Sequence, residues 1–379
     1  MLMKRTENSL LSKWWLAVDK TILFTVLGLS IAGIFMVWST STYLAKRMGY
    51  DELFFVKKMA VYVPLGFVCL LMTSCIKTRW LRNSSILAFP LLTMAMISTI
   101  FFAETKGARR WIAISGGLKI QPSEFMKPIF AIIVAMIISR IKDLHKKDLS
   151  IWKNKRERNY IMALLCMLGM FIGILLGIQK DFGMTVTYCV IFASEIFVAG
   201  LDKKWVATLG CMALGGVVFV LNFVPHVVAR LQAFVSEDAY QLTKSLNAIR
   251  ESNIFFGGHG NNLKTLIPDV HTDFIFAGIV EEFSPVVAAL LIYVFFILIS
   301  HIFNEAKQKK NNIFVVCSVV GIISYIAFQI LINILSTLGF IPTKGMTLPF
   351  ISYGGSSFLS SCIAIGIILS LLQDQNLRG

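Results

Sequence analysis

The chain has 379 residues, of which 56 % are hydrophobic and 15 % charged, with a mean hydropathy of +0.73. Soluble enzymes of this length carry far more charge, so that class is excluded and a polytopic membrane protein is indicated. The net charge of +15 does not indicate a nucleic-acid binder, because Lys and Arg fall in short loops between apolar runs instead of on one soluble module.

Residues 1–20 hold Lys4, Arg5 and Lys13 but only a short apolar stretch and no small-residue cleavage site, which argues against a removable signal peptide. Runs of about twenty apolar residues, the length that crosses the hydrocarbon core, occur near 21–45, 57–76, 84–103, 123–141, 159–179, 182–200, 205–225, 273–303, 313–338 and 354–373. The pattern predicts an all-α membrane domain over 21–374 with about ten transmembrane helices and both termini on one side. The segments 1–20, 77–82, 140–158, 201–204, 304–312 and 375–379 carry the majority of the 36 Lys and Arg residues, so they are expected to be cytoplasmic. Two long loops, 104–122 and 226–272, then lie outside, the second between helices 7 and 8. Loops of this size in a compact domain usually carry function. The cysteines lie inside apolar runs without CxxC spacing and the five histidines show no HExxH, so neither disulfides nor a structural zinc site is expected.

Polar residues follow in order. Arg110 beside Trp111 suits an interfacial anchor or a phosphate ligand. Pro122-Ser123-Glu124 reads as a helix start, and Glu124 and Lys127, three apart, share a face and can pair, either to orient two helices or to act directly. Asp181 occupies the turn between spans five and six, where turn chemistry alone favours it. Glu195 lies deep in span six without a partner evident in sequence. The long loop holds Arg230, Tyr240-Gln241 and Lys244-Ser245 and closes on His271-Thr272-Asp273 before span eight, where Glu281 and Glu282 would face the bundle interior two turns below Asp273. Gln329 and Asn333 share a face of span nine. Gly339 to Ser357 then breaks the chain at membrane depth, which requires a cover of protein or a cavity. Asp273 is either a cap for the helix that follows or a functional carboxylate beside hydrocarbon.

Several blocks resemble the SEDS family of bacterial cell-wall proteins, which has division-type (FtsW), elongation-type (RodA) and SpoVE members. They are Gly107-Ala108-Arg109-Arg110-Trp111, Gln121-Pro122-Ser123-Glu124 with Lys127, Tyr240-Gln241, His271-Thr272-Asp273-Phe274-Ile275-Phe276 with Glu281-Glu282, and Leu348-Pro349-Phe350 through Ser357. Lys344, in Pro342-Thr343-Lys344-Gly345, is more similar to the division branch. The chain departs from the family pattern at Lys180, where a proline is usual, at Gly258-His259-Gly260-Asn261-Asn262, at Ile267-Pro268-Asp269, and at Phe283-Ser284, where Leu-Gly is usual.

The resemblance implies a peptidoglycan glycosyltransferase that polymerises lipid II outside the cytoplasmic membrane, at the division septum, with Asp273 as the catalytic residue. Arg110, Glu124, Lys127, Arg230, Lys344, Ser352 and Ser356 are its substrate-binding candidates. A base is needed to take the acceptor proton. Positive charge on the departing pyrophosphate would come from a divalent cation (Mg or Mn), Arg110 or Arg230, and no organic cofactor is required. Implied partners are lipid II, an FtsI-like class B penicillin-binding transpeptidase, divisome proteins and membrane lipids. A lipid II flippase, an elongation-type polymerase and a scaffold for another cell-wall enzyme are the competing readings.

Overall fold

Two helices form the centre of the bundle because their sequences offer apolar residues on every face. In the computed structural model these are α11 (Ile313–Thr337) and α12 (Gly355–Leu372), whose apolar windows are 72 % and 78 % buried, against 17 % for the outer span Thr78–Phe101. The structure describes residues 10–104, 108–113, 119–145, 155–200, 240–255, 257, 267, 269–342 and 345–373.

Ahead of them run α1 (Leu10–Ala17), α2 (Lys20–Arg47), α3 (Phe54–Ser74), α4 (Thr78–Ser98), α5 (Pro122–His145), α6 (Lys155–Gly173), α7 (Phe182–Val198), α8 (Tyr240–Glu251), α9 (Ile275–Glu282) and α10 (Pro285–Gln308). A two-stranded ribbon, β1 (Ile112–Ala113) and β2 (Lys119–Ile120), crosses the first long loop. Seven described helices are long and apolar enough to cross a membrane, and α5 and α7 fill two more of the expected spans. The protein is a multi-pass, all-helical membrane protein. The expected span 205–225 lies outside the described residues.

Local chemistry sets the helix ends. Asp19 opens α2 by accepting from Ile22 N at 3.1 Å, and Lys46 and Arg47 close it against the dipole. Pro64 and Pro90 sit inside α3 and α4, as neighbouring helices permit within a bundle. Small residues let α3 and α12 approach: a Cβ on Gly66 would stand 2.9 Å from Cys362 Sγ. Leu65, Val68, Leu87 and Leu91 stay exposed on the outer faces of α3 and α4, where lipid replaces water.

Span eight corrects the sequence reading. The apolar run from 273 does not continue as one helix; it stops at Glu282 and restarts at Pro285. Between them Ser284 holds φ +131° and ψ 161°, a conformation suited to glycine, while its Oγ accepts from Val287 N at 3.3 Å. Pro285 then takes the first helical position, where its missing N–H costs nothing. Glu281 and Glu282 therefore end α9 instead of riding on the long span. Glu282 accepts from Ser39 Oγ at 2.6 Å. Strain of this kind costs about 1–3 kcal/mol, while exchanging Ser for Gly at a cap costs a few tenths. Ser284→Gly should therefore raise the thermal unfolding midpoint by about 2 °C, and a lowered midpoint would show that the cap outweighs the strain.

The helix ends sort onto two faces. Lys142 Nζ donates to Gly200 O at 3.2 Å, and Ser370 Oγ donates to Ile76 O at 2.5 Å, so the end of α5 meets the end of α7 and the end of α12 meets the start of α4. These belong to the basic loops, with Asn312 capping α11 on the same side. Asn333, near the other end of α11, lies 21 residues on, or about 30 Å along the axis.

Candidate active site

Asp273 lies in the turn that opens α9, half-buried and on the non-basic side. Its backbone is fixed from the neighbouring span: Asn333 Nδ2 donates to Asp273 O at 2.9 Å and to Met346 O at 2.7 Å. One buried amide thus ties the turn to the broken segment after α11. Its carboxylate faces that segment at Gly345, where an added Cβ would come within 3.3 Å of Asp273 Oδ2; Gly345 also has φ +68°. Both facts favour glycine there.

The N-cap of α9 is Phe274, with no side-chain hydrogen bond, and the Thr272 hydroxyl turns back to Asp269 O at 3.1 Å.

The broken segment folds onto the same turn. Tyr353 N donates to His271 O at 2.9 Å, and Ser352 Oγ donates to Thr272 O at 2.7 Å while accepting from Leu348 N at 2.8 Å. Phe350 takes φ +65° within it. The His271 ring stands 4.2 Å from that of Phe55 and 5.5 Å from that of Tyr353, which builds an aromatic wall beside Asp273 from α3 and the broken segment.

The remaining candidates fall into two clusters. Arg110 Nε pairs with Asp181 Oδ2 at 2.9 Å, and Asp181 Oδ1 also accepts from Met184 N to open α7. Glu195, further along α7, faces Gly321 and Cys317 of α11. The two helices therefore run antiparallel, and Asp181 lies on the same membrane face as Asp273. Lys180 holds φ +52°, which proline cannot adopt, so this turn cannot follow the proline pattern of the family.

Glu124 and Lys127 pair at 2.7 Å as their spacing predicts, and both are buried. The ammonium also lies 4.9 Å from the Tyr325 ring. Tyr325 is eight residues below Asn333 on α11, about 12 Å, so the pair lies deeper than Asp273. Ser360 Oγ donates to Glu124 O at 2.6 Å, one turn beyond Ser357, which accepts from Thr347 Oγ1 at 2.8 Å. The start of α12 thus joins the pair to the broken segment. Ser356 is buried in its first turn.

Arg230 and Lys344 lie outside the described residues. Sequence reading assigned no role to His271, Phe55 or Tyr353. It marked Asn333 only as a polar residue sharing a helix face with Gln329. Among the described residues the cluster with metal-ligand spacing is Asp19, His301 and Glu305, near the basic face and remote from Asp273. Those residues do not build a resident cation site at Asp273.

Fold and site together define a multi-pass helical membrane protein that presents a loop carboxylate, roofed by a broken segment, on the face away from its basic loops. The chain belongs to the FtsW/RodA/SpoVE family, whose model, described as cell cycle protein, matches residues 20–377. A relative from Caulobacter vibrioides named "Probable peptidoglycan glycosyltransferase FtsW" is 33 % identical, covering 98 % of this chain and 93 % of its own. One of the same name from Escherichia coli O6:H1 is 34 % identical over 95 % and 87 % of the two chains. A solved structure described as "Structural coordination of polymerization and crosslinking by a peptidoglycan synthase complex" matches with TM-score 0.74 at 22 % identity, covering 94 % of this chain and 98 % of that one. The Thermus thermophilus rod shape determining protein RodA matches with TM-score 0.67 at 20 % identity over 94 % and 97 %. These two likenesses show the fold.

Proposed function

We propose that this chain is a peptidoglycan glycosyltransferase that polymerises lipid II into glycan strands on the outer side of the bacterial cytoplasmic membrane. The observation that carries the chemistry is Asp273, held by its backbone beside Gly345 on the face opposite the basic loops. Its carboxylate accepts the proton of the acceptor sugar hydroxyl as that oxygen bonds to the donor's anomeric carbon. The bond from that carbon to the undecaprenyl pyrophosphate breaks, and the pyrophosphate leaves with the electron pair. Direct displacement inverts the anomeric centre, as a β-linked glycan from an α-linked donor requires. Pyrophosphate needs no general acid; basic side chains stabilise the departing oxygens. Arg110, held by Asp181 on the same face, is assigned that role together with Arg230 and Lys344. A resident divalent cation is given no step.

The FtsW names of the relatives and Lys344 support a septal role in division, and the Lys and Arg in the loops on one side support cytoplasmic termini. The peptidoglycan synthase complex supports a class B penicillin-binding transpeptidase as partner. The test is glycan synthesis from lipid II by the purified full chain, with and without such a transpeptidase. Glycan chains in neither arm would remove the assignment.

Asn333 positions the base without touching substrate. Asn333→Ala leaves two carbonyls without this donor, at about 1–3 kcal/mol each. We expect it to slow polymerisation about tenfold, because small misplacements of a catalytic group are costly. KM for lipid II should change little. An unchanged kcat would remove the positioning role.

A further inference from the structure

A second polar site lies on the opposite face. A cavity of about 710 Å³ opens among the start of α4, the end of α5, the cap of α11 and the end of α12. Among the described residues its wall carries four cations, Lys77, Arg79, Arg82 and Arg140, with neutral polar groups that include Asn312 and Ser139, and no acidic side chain. Like charges gathered around one hollow repel one another unless an anion sits between them. The positive dipole ends at the starts of α4 and α11 are offset by the negative ends of α5 and α12 at the same wall, so the side-chain cations set its sign.

Arg82 is held for binding rather than for pairing. Its guanidinium lies 3.9 Å from the Phe314 ring, and its Nε is buried with no hydrogen-bond partner among the described residues. Among the described residues, Arg140 repels it and Asp143, an exposed residue of α5 outside the cavity lining, attracts it. A stacked guanidinium with an unsatisfied N–H, beside a second arginine, matches the planar, forked chemistry that takes phosphate oxygens.

We propose that this cavity binds the phosphate of an anionic phospholipid headgroup from the leaflet on the basic side of the membrane. Depth and shape favour a lipid over a free anion. Asn312 lies about 30 Å along α11 from the level of Asp273, the thickness of the hydrocarbon core, so the cavity sits at the opposite headgroup level. Ile86, on the cavity wall, is exposed, and Leu87 beside it is also exposed, so the hollow adjoins the lipid-facing side of α4. The volume is also far larger than one phosphate needs. The lipid would clamp α4, α5, α11 and α12 together from the side opposite Asp273.

The test uses the purified full chain in nanodiscs of phosphatidylcholine alone or with phosphatidylglycerol or cardiolipin, followed by native mass spectrometry and thermal unfolding. The anionic lipids are expected to leave a retained phospholipid adduct and to raise the unfolding midpoint by several degrees. Arg79→Gln/Arg140→Gln, made at two exposed positions that leave the Arg82 stack in place, should reduce the adduct about tenfold and abolish the lipid-dependent rise. Arg82→Gln should do the same if it folds. Lys307→Gln/Lys309→Gln, which removes two charges elsewhere on the basic loops, should leave both readouts unchanged. The proposal is overturned if the arginine variants bind as the parent does, if the lysine variant loses as much, or if millimolar inorganic phosphate in phosphatidylcholine discs gives the full rise.

Discussion

Asp273→Asn is expected to abolish glycan synthesis from lipid II while the protein folds and inserts as before. The exchange keeps the shape of the side chain and removes its ability to accept a proton, so the loss is catalytic. General-base catalysis contributes about 10²–10⁴ in rate, and the variant should fall by at least that range. Folding is spared because the bond from Asn333 reaches the Asp273 main-chain carbonyl, which the substitution does not alter. The measurement is glycan chain formation by the purified variant, with its unfolding midpoint recorded alongside. A rate within threefold of the parent would take the base assignment away from Asp273.

Lys127→Met has the second large effect, and it falls on stability. It leaves the Glu124 carboxylate buried without the ammonium 2.7 Å away, and breaking one side of a buried pair costs about 3–5 kcal/mol. The double variant Glu124→Gln/Lys127→Met removes both charges and should recover most of that loss, because neither charge is then left buried without its partner. The double variant also separates two roles. If the pair orients α5 against α11 and α12, the double variant polymerises glycan within about threefold of the parent. If the charges bind substrate directly, it regains stability but not activity. Thermal unfolding and polymerisation rate, measured on all three proteins, give the answer.

The spans were legible because twenty apolar residues and interleaved Lys and Arg are averaged signals that no single side chain can overturn. Span eight was misread for the opposite reason. The run from 273 to 303 was read as one span across Glu281, Glu282 and Ser284-Pro285, whereas the break depends on the conformation of one residue, Ser284, and the signal for it was the Ser-Pro start of a helix. Glu124 and Lys127 were legible because their spacing is local. Arg110 and Asp181 are 71 residues apart in sequence, so no spacing rule joins them, although each was marked separately.

The same limit governs the site. Asp273 could be read as a carboxylate at a membrane boundary, since burial beside hydrocarbon is costly for any acid. What holds it could not, because Asn333 lies 60 residues away and bonds to a main-chain carbonyl. The aromatic wall of Phe55, His271 and Tyr353 likewise comes from three distant segments. The basic cavity was present in sequence only as a topology signal. Lys77, Arg79, Arg82 and Arg140 were counted as loop charge, and only the packing of four helix ends makes them a site.

The most direct measurement places the chain in vesicles with a known orientation and supplies lipid II on one face at a time. Glycan chains are predicted only when lipid II is on the face that carries Asp273. Polymer formed from lipid II confined to the basic face, or movement of lipid II between faces without any polymer, would contradict the account.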